Sequence, residues 1–395
     1  MALVVHQEPQ ELTPAYNKQI FVALSDEIAQ TDFKYIVEVT VNGDTAHTYT
    51  EDILQRPDGH IVFDAKNWVQ NYIEHYFNPE LALTYPIAIA TNKSVSVEVK
   101  IKEYYTAAVQ STITINYVAF DACLNDEEFR TYDFNDYIFD GTASLYYLSK
   151  TTDSIFPDTR VVLNQDVWLH FINKPSDLIS DIVIDLRRAN ATIDTVSIAS
   201  LPTPVTAYDV LALRINSSMF VTATTQSGDV IRITYNSGVT QVLRHSLSIT
   251  EISTDFTPYT VYYLDRNGNT SFFHFEKLST INHTKKISEV KLGKDTLNTT
   301  THLYGSNTWD RENHIINTTI ESTITLNTDW ITQEQSEQLI DLFASPILYL
   351  WDGVKLRATK MNGTAYEQKV EGLDPLFNYT ITVDLGVTET RQRGI

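Results

Sequence analysis

The amino-acid sequence predicts a mainly β, multidomain protein, and three observations support this prediction. Tyr (22 residues) and Phe (17 residues) accompany many Thr, Val and Ile residues, and such side chains pack well on a pleated sheet. Apolar and polar residues alternate through several segments, as they do in strands with one buried face. A chain of 395 residues, 43% of them hydrophobic, is long enough for roughly two to four domains with cores of their own.

Residues 1–119 are predicted to form an N-terminal β-sandwich. Val95, Val97, Val99 and Ile101 alternate with polar residues, so one face of this strand is expected in a core and the other in water. Turns are predicted at Asn42-Gly43 and Asp58-Gly59. Strands at this spacing are typical of immunoglobulin-like and fibronectin-like sandwiches; they are predicted at 20–24, 33–41, 60–63, 87–90 and 95–105.

One short helix is predicted inside this sandwich. Asp64 is its expected N-cap, and Asn78-Pro79 is expected to end it. Its aromatic and aliphatic residues recur at helical spacing, which indicates a packing face that caps one edge or end of the sandwich rather than a ligand site; they are Trp68, Val69, Tyr72, Ile73, Tyr76 and Phe77.

Residues 120–290 are predicted to form a central β-unit with up to two subdomains. Its most informative segment is 259–276, where two aromatic-rich alternating stretches flank Asn267-Gly268. Asn-Gly readily takes the positive φ angles of a type I′ turn, so a hairpin with that turn is predicted. The other strands are predicted at 161–163, 167–171, 182–186, 210–215, 230–235, 241–243 and 246–252.

The start of the central unit is acidic and aromatic. Closely spaced carboxylates can bind a divalent cation, but their spacing is not that of a calcium-binding loop. We therefore favour a connecting segment or contact surface and keep cation binding as an alternative. The acidic residues are Asp121, Asp126, Glu127, Glu128, Asp133, Asp136 and Asp140.

Residues 291–395 are predicted to form a C-terminal α+β domain or helix-decorated β-domain. Thr332 and Gln335 have the spacing of a capping box, and Ser345-Pro346 is expected to end the helix that they begin. Leu339, Leu342 and Phe343 mark its apolar face. The strands of this domain are predicted at 314–326, 347–351, 355–360, 366–371 and 377–385.

Charge and cysteine content exclude several classes of protein. The formal net charge of −21 disfavours nucleic acid, and the densest basic group, Lys285, Lys286, Lys291 and Lys294, is too small for a groove. The single cysteine, Cys123, excludes an intrachain disulfide framework and a multi-thiolate metal site. The N-terminus lacks the pattern of a signal peptide and no apolar run is long enough to span a bilayer, so cytoplasmic synthesis and no membrane are expected.

Motifs of catalysis are missing from the sequence. Gly141-Thr-Ala-Ser-Leu lacks the second glycine of a nucleophile elbow, the glycines are not grouped to bind phosphate, and the histidines lack metal-ligand spacing. We therefore predict no enzyme activity and no catalytic, cofactor-binding or metal-binding residues. Two alternatives stay open: a carbohydrate-binding or receptor-binding adhesin of the tail-fibre type, because aromatic residues stack on sugars, and a glycan hydrolase, because 50 acidic residues can supply a carboxylate pair.

Four segments together resemble structural proteins of tailed phages that infect Bacteroidetes, crAss-like relatives included. They are Pro14-Ala-Tyr-Asn, the hairpin at 262–275, the Trp330-Ile-Thr segment with its helix, and Leu339-Ile-Asp-Leu-Phe-Ala-Ser-Pro-Ile-Leu-Tyr-Leu. This resemblance implies a non-enzymatic subunit of the tail, baseplate, tail tip or a ring, made in the host cytoplasm and assembled into the virion. It implies a symmetric homo-oligomer that contacts other tail or connector proteins, with a host-surface glycan left open as a further partner.

Overall fold

A computed structural model describes residues 3–139, 159–173, 179–199, 201–202, 208–237, 240–249, 256–293, 295–306, 312–331, 333–363 and 378–391. The chain forms two compact units. Unit 1 comprises Met1–Glu251 and Leu264–Ser271, and unit 2 comprises Ile252–Tyr263 and Phe272–Ile395. The mainly β, multidomain architecture predicted from the sequence is confirmed, whereas the predicted boundaries after residues 119 and 290 stay predictions.

Unit 1 begins with a β-sandwich whose two sheets have the strand orders β1-β3-β6 and β2-β9-β8-β4-β5. Its strands are β1 (Val4–Gln7), β2 (Leu12–Pro14), β3 (Ile20–Leu24), β4 (Lys34–Val41), β5 (Tyr49–Ile53), β6 (His60–Asp64), β7 (Ile87–Ile89, in a later sheet), β8 (Ser94–Tyr105) and β9 (Ala108–Phe120).

The core of this sandwich confirms the alternation seen in the sequence. Val95, Val97, Val99 and Ile101 on β8 are all buried, and they share one apolar cluster with Phe21 on β3. The turn after β4 has the predicted form, since Asn42 and Gly43 both have positive φ angles, 51° and 69°. Strand β9 was not predicted from the sequence. Its first half contains only exposed and half-buried residues, so the apolar periodicity that would reveal it is weak there.

The second half of unit 1 contains two further sheets, with the orders β10-β12-β15-β7 and β11-β17-β16-β13-β14. The strands are β10 (Ile138–Phe139), β11 (Thr159–Val161), β12 (Val167–Asn173), β13 (Asp181–Arg188), β14 (Ala191–Ile198), β15 (Val210–Ile215), β16 (Val230–Ser237) and β17 (Thr240–Ile249).

A shared apolar core joins the two halves of unit 1. Leu12 and Phe120, at the ends of β2 and β9, lie in one buried cluster with Ile172 on β12 and Val210 on β15. The segment that follows β9 therefore starts inside unit 1, and this position brings its first residues into the candidate site below.

The helix predicted after Asp64 is shorter than expected. Helix α1 spans Lys66–Val69, one 3₁₀ turn follows at Gln70–Tyr72, and Ile73 is already extended. The prediction of Asp64 as N-cap is wrong by one residue, because Ala65 occupies the N-cap position. The Asp64 carboxylate still accepts a hydrogen bond from the backbone N–H of Lys66 at 3.0 Å. The prediction that the helix runs to Asn78-Pro79 is wrong, since the backbone N–H of Glu74 bonds instead to the carbonyl of Asn92 at 2.9 Å.

In the part of the chain that the structure describes, unit 2 contains a seven-stranded sheet and one helix. Its strand order is β19-β18-β24-β25-β26-β23-β20, with a separate small hairpin of β21 and β22. The elements are β18 (Tyr259–Leu264), β19 (Thr270–Phe275), β20 (Thr280–Lys291), β21 (Thr296–Asn298), β22 (Leu303–Gly305), β23 (Asn313–Asn327), α3 (Gln333–Ala344), β24 (Leu348–Trp351), β25 (Leu356–Met361) and β26 (Thr380–Arg391).

The helix and core of unit 2 agree with the predicted C-terminal block. Helix α3 ends before Ser345-Pro346 as predicted, and its Leu339 and Leu342 are buried with Leu348 and Leu350 of β24. Thr332 of the predicted capping box and the strand predicted at 366–371 lie outside the described residues. Across the described part of the chain, no helix is long and apolar enough to cross a membrane.

Candidate functional site

Lys93 and Asp121 form a buried ion pair within unit 1. The Nζ atom of Lys93 is 3.1 Å from Oδ2 of Asp121, and their side chains are 0% and 5% exposed. Strand register explains why they meet: Ser94 at the start of β8 pairs with Phe120 at the end of β9, so the next residues outward are neighbours. The backbone N–H of Asp121 donates to the carbonyl of Lys93 at 2.8 Å, which fixes the pair.

Two histidines surround this ion pair. Nδ1 of His75 is 3.5 Å from Oδ2 of Asp121, and His170 on β12 is fully buried. Burial lowers the pKa of His75, and the Lys93 ammonium lowers it further, against the opposing effect of Asp121. Burial lowers the pKa of His170 far below its usual value, with Lys93 and His75 acting in the same direction. Both imidazoles are therefore neutral near pH 7.

Asp121 is the charged partner of Lys93. Burial alone would raise the pKa of its carboxyl, but the Lys93 ammonium and His75 outweigh burial, so the pKa lies below its ordinary value. A buried carboxylate of this kind depends on its cation, because an isolated charge in a protein interior is strongly destabilising.

A hairpin turn formed by residues distant in sequence covers the ion pair. Lys93 also donates a hydrogen bond to the backbone carbonyl of Gly268, which lies in the turn between β18 and β19. The backbone N–H of Cys123 donates to the carbonyl of Arg266 at 2.7 Å. These two contacts lie within unit 1, because the turn Leu264–Ser271 belongs to it.

The turn at Asn267-Gly268 differs from the predicted type I′ form. Gly268 has a φ of +82°, but Asn267 does not have a positive φ, and the N–H of Gly268 donates to the carbonyl of Asp265 at 3.0 Å. The prediction of two positive φ angles is wrong. The hairpin instead has a three-residue loop that ends in a left-handed glycine.

The side chain of Asp265 explains this choice of turn. Its Oδ1 accepts hydrogen bonds from the backbone N–H groups of Asn267 at 2.9 Å and Asn269 at 2.8 Å, and its Oδ2 accepts one from Ser271 at 2.7 Å. Asx-type bonding of this kind organises a turn from the residue that precedes it. A carboxylate therefore determines the turn, and the Asn-Gly pair alone does not.

Gly268 tolerates no side chain at this position. A Cβ atom built on it would lie 1.6 Å from the backbone oxygen of Asp121, well inside van der Waals contact, and its positive φ is unfavourable for any L residue with a side chain. The backbone of the turn at Gly268 therefore packs directly against the backbone of Asp121.

The N-terminal motif Pro14-Ala-Tyr-Asn holds the other side of the segment that follows β9. The backbone N–H groups of Ala15 and Tyr16 donate to the carbonyls of Phe120 and Ala122 at 2.8 and 3.1 Å. The Asn17 amide bonds both the N–H and the carbonyl of Leu124, each at 2.8 Å. Residues 120–124 are thus bonded by two of the segments on which the resemblance rests.

Three residues of the acidic segment have separate partners. Glu128 forms an ion pair with Arg266 at 3.1 Å, Asp133 caps a 3₁₀ turn through the N–H of Asn135 at 3.0 Å, and Asp121 pairs with Lys93. A short helix that was not predicted, α2 (Asp126–Arg130), begins at the cap Asn125. No group of three metal-ligating side chains occurs within the described residues, and Asp140 lies outside them.

The sequence pointed to only part of this site. Asp121 was noticed as one carboxylate among several, and 259–276 was noticed as a hairpin, but Lys93, His75 and His170 were not. The only local signal for Lys93 is its position one residue before the alternating strand at 94–104. Its pairing with Asp121 becomes visible only once β9 is recognised as the partner of β8.

The polar side chains of this cluster bind backbone groups of the chain itself and do not line an open cavity. One ammonium group joins the carboxylate of Asp121 to the carbonyl of Gly268, and backbone bonds join 121–124 to the turn and to the N-terminal motif. The two contacts of the Lys93 ammonium are buried and charge-assisted, and such contacts are strong because the low local dielectric weakens competition from water.

Comparisons with known proteins do not show a family for this chain. No family model matches the sequence, and no curated protein matches it. Among solved structures, Drosophila OTK, extracellular domains 3–5, matches with a TM-score of 0.21 and 10% sequence identity, and the match covers 90% of this chain and 95% of that chain. That TM-score is too low to support an argument about fold or function.

Proposed function

We propose that this chain is a non-enzymatic structural protein of a tailed phage, a subunit of the tail, baseplate, tail tip or a ring. The observation that carries this proposal is the position of the shared motifs. Pro14–Asn17 and the hairpin turn at 264–271 both bind residues 120–124, and the block that contains Leu339 and Leu342 forms part of the unit 2 core. The segments that resemble phage structural proteins are thus the ones that hold the two units in shape.

The buried cluster supports a structural role. Lys93 and Asp121 are almost completely shielded from solvent, and the turn that covers them is held by its own network of hydrogen bonds around Asp265. A buried ion pair is weak evidence for high stability, but it favours one arrangement of chain segments over others because a misplaced segment leaves a charge unpaired. A subunit that repeats in an assembly needs one defined arrangement of its chain segments.

Analysis of purified virions tests the proposal. We expect mass spectrometry of particles purified from a lysate of the host to detect this chain in a fixed ratio to tail proteins, and gold-labelled antibodies to mark the tail region in electron micrographs. A matched preparation of tail-less heads serves as the control and should lack the chain. Absence from intact particles would overturn the proposal, and retention of free protein on host glycans would favour the adhesin alternative.

Complementation connects the proposal to the site. In a phage that lacks the gene, the wild-type chain should restore infectious particles, and Gly268→Ala should fail because its Cβ meets the Asp121 backbone. Gly293→Ala is the matched control, because no atom lies within 4 Å of its Cβ position, and it should complement. Full rescue by Gly268→Ala would contradict the role assigned to the turn.

A further inference from the structure

Strand β20 is an exposed outer strand of the unit 2 sheet. All twelve residues of Thr280–Lys291 are exposed, so both faces of the strand meet solvent. It pairs with β23 on one side and ends the strand order of its sheet in the part of the chain that the structure describes. A long outer strand presents backbone N–H and C=O groups that can pair with another strand.

Apolar side chains accompany this strand. Ile287 is 47% exposed, and Leu297, Leu303 and Tyr304 of the β21–β22 hairpin are 58%, 70% and 70% exposed. Contiguous exposed apolar residues mark interaction surfaces more often than scattered ones do. We call β20, its partner β23 and the β21–β22 hairpin that lies between them in sequence the arm.

The charge of the arm differs from that of the whole chain. Residues 280–327 contain five basic and five acidic residues, so the net charge of −21 is carried entirely by the other residues. Lys285, Lys286 and Lys291 of the basic group noticed in the sequence lie on β20, whereas Lys294 lies outside the described residues. Two copies of this chain can therefore approach through their arms without the repulsion that their other surfaces create.

We propose that β20 binds β20 of a second copy of this chain, antiparallel and centred on Ile287. In this register Lys285 of each copy lies opposite Glu289 of the other, so two cross-strand ion pairs form about the two-fold axis. Lys286 then lies opposite Ser288, and Val290 opposite Thr284. Opposite charges directly across a strand pair stabilise it, and like charges destabilise it.

Neighbouring registers are less favourable. Pairing about either lysine sets that lysine against itself, and pairing about Ser288 sets Lys285 against Lys291 twice. Two lysines of β20 already have partners within the same copy, since Lys286 and Lys291 form ion pairs with Glu321 and Glu312 at 2.6 Å each. Lys285 and Glu289 remain for the second copy.

This inference deepens the proposed function, and it rests on it for the assembly in which the contact would serve. A two-fold contact uses the same surface on both copies and closes as a dimer. A ring would need a second, head-to-tail surface in addition to the arm.

A charge exchange tests the register. With the full-length chain, sedimentation equilibrium should give a dimer whose dissociation constant rises about tenfold or more for Lys285→Glu and for Glu289→Lys, because each change sets like charges opposite one another twice. The double variant Lys285→Glu/Glu289→Lys restores both pairs and should restore wild-type dimerisation. Circular dichroism checks that every variant stays folded. A monomer at all concentrations, or a dimer that is indifferent to the single changes, would overturn the proposal.

A cross-link tests the position of the axis. In a Cys123→Ser background, Ile287→Cys should form an intermolecular disulfide under oxidised glutathione, because residue 287 faces its own copy at a Cα distance within the range of disulfides. Val290→Cys is the control and should not cross-link, since its two copies lie about 20 Å apart along the strands. Equal cross-linking at both positions would refute this register.

The two proposals fail in different experiments. A monomer in solution that is nevertheless found in purified virions would overturn the strand pairing and leave the virion assignment standing. A chain that dimerises through β20 but is absent from virions would overturn the virion assignment and leave the strand pairing standing.

Discussion

At the scale of single residues, the fold of unit 1 depends on a few buried groups. Lys93 satisfies both a carboxylate and a main-chain carbonyl, Asp265 accepts three hydrogen bonds within its own turn, and Gly268 leaves no room for a Cβ atom. Their importance comes from burial and close approach rather than from chemical reactivity.

Replacement of Gly268 by alanine should destabilise unit 1 severely. The added Cβ meets a backbone oxygen at 1.6 Å and the positive φ adds about 1–2 kcal/mol, so we expect the free energy of unfolding to fall by at least about 3 kcal/mol in urea titrations. Gly293→Ala should stay within about 0.5 kcal/mol of wild type. Equal unfolding midpoints for the two variants would contradict the close approach.

Acid should destabilise unit 1 through its buried histidines. The pKa values of His75 and His170 are lowered from 6.5 in the folded chain, so below about pH 6.5 the unfolded chain binds protons that the folded chain does not. The free energy of unfolding should then fall with pH, by up to about 1.4 kcal/mol per pH unit for each histidine. Asp121, whose pKa is lowered from 3.8, adds a further loss when the pH falls below about 4.

Urea titrations near pH 7 and near pH 5.5 measure this dependence. The double variant His75→Gln/His170→Gln should show a flatter slope, whatever its absolute stability. His47→Gln, at a position with a 75% exposed side chain, is the control and should keep the wild-type slope. A wild-type slope in the double variant would assign the pH dependence to other groups.

At the scale of elements, the segment 120–124 connects the parts of unit 1. It receives bonds from the N-terminal motif on one side and from the hairpin turn on the other, and it begins inside the shared apolar core at Phe120. Such a segment is irregular in secondary structure yet densely bonded. The apolar periodicity of the sequence therefore does not reveal it.

Removal of the Asn17 amide should weaken this element. Asn17→Ala leaves the N–H and carbonyl of Leu124 without their partner, and each buried unsatisfied backbone group is destabilising by about 1–3 kcal/mol. We expect the free energy of unfolding, measured by urea titration, to fall by about 2–4 kcal/mol. Asn71→Ala, which removes one exposed bond to the carbonyl of Asn67, should change stability by less than about 1 kcal/mol. Similar losses for both variants would argue against the role of Asn17.

The accuracy of the sequence-based prediction also varies by element. Strands with one buried face, such as β8, were found from alternation, and α3 was found from its apolar face and its Ser345-Pro346 stop. Strand β20 was missed because neither of its faces is buried. Helix α1 was overestimated because Glu74 finds a tertiary partner in Asn92, and the buried cluster was missed because it depends on contacts such as Lys93 with Gly268, 175 residues apart.

At the scale of the whole molecule, the two units have separate apolar cores. Among the described residues, the core of unit 2, which includes Val261, Leu326 and Leu342, shares no member with the cores of unit 1 that contain Phe21 and Phe120. Independent cores allow local stability to differ between parts of a chain.

A cavity in one unit should therefore affect that unit alone. Leu342→Ala removes a side chain that is 0% exposed and should destabilise unit 2 by about 2–5 kcal/mol. Hydrogen exchange read by mass spectrometry should show faster exchange in β23, β24 and α3, with unchanged protection in β8 and β9. Phe21→Ala is the reciprocal variant, and loss of protection across both units in either case would show that they unfold together.

The position of the hairpin turn also sets an order of events during synthesis. Lys93 and Asp121 leave the ribosome long before Gly268, and at roughly 5–20 residues per second the delay is on the order of ten to thirty seconds. Throughout this interval the nascent chain carries a lysine that lacks one of its two acceptors. Unit 1 therefore cannot reach its final state until translation has moved well past residue 251, and a chain released early would lack the turn that covers Lys93.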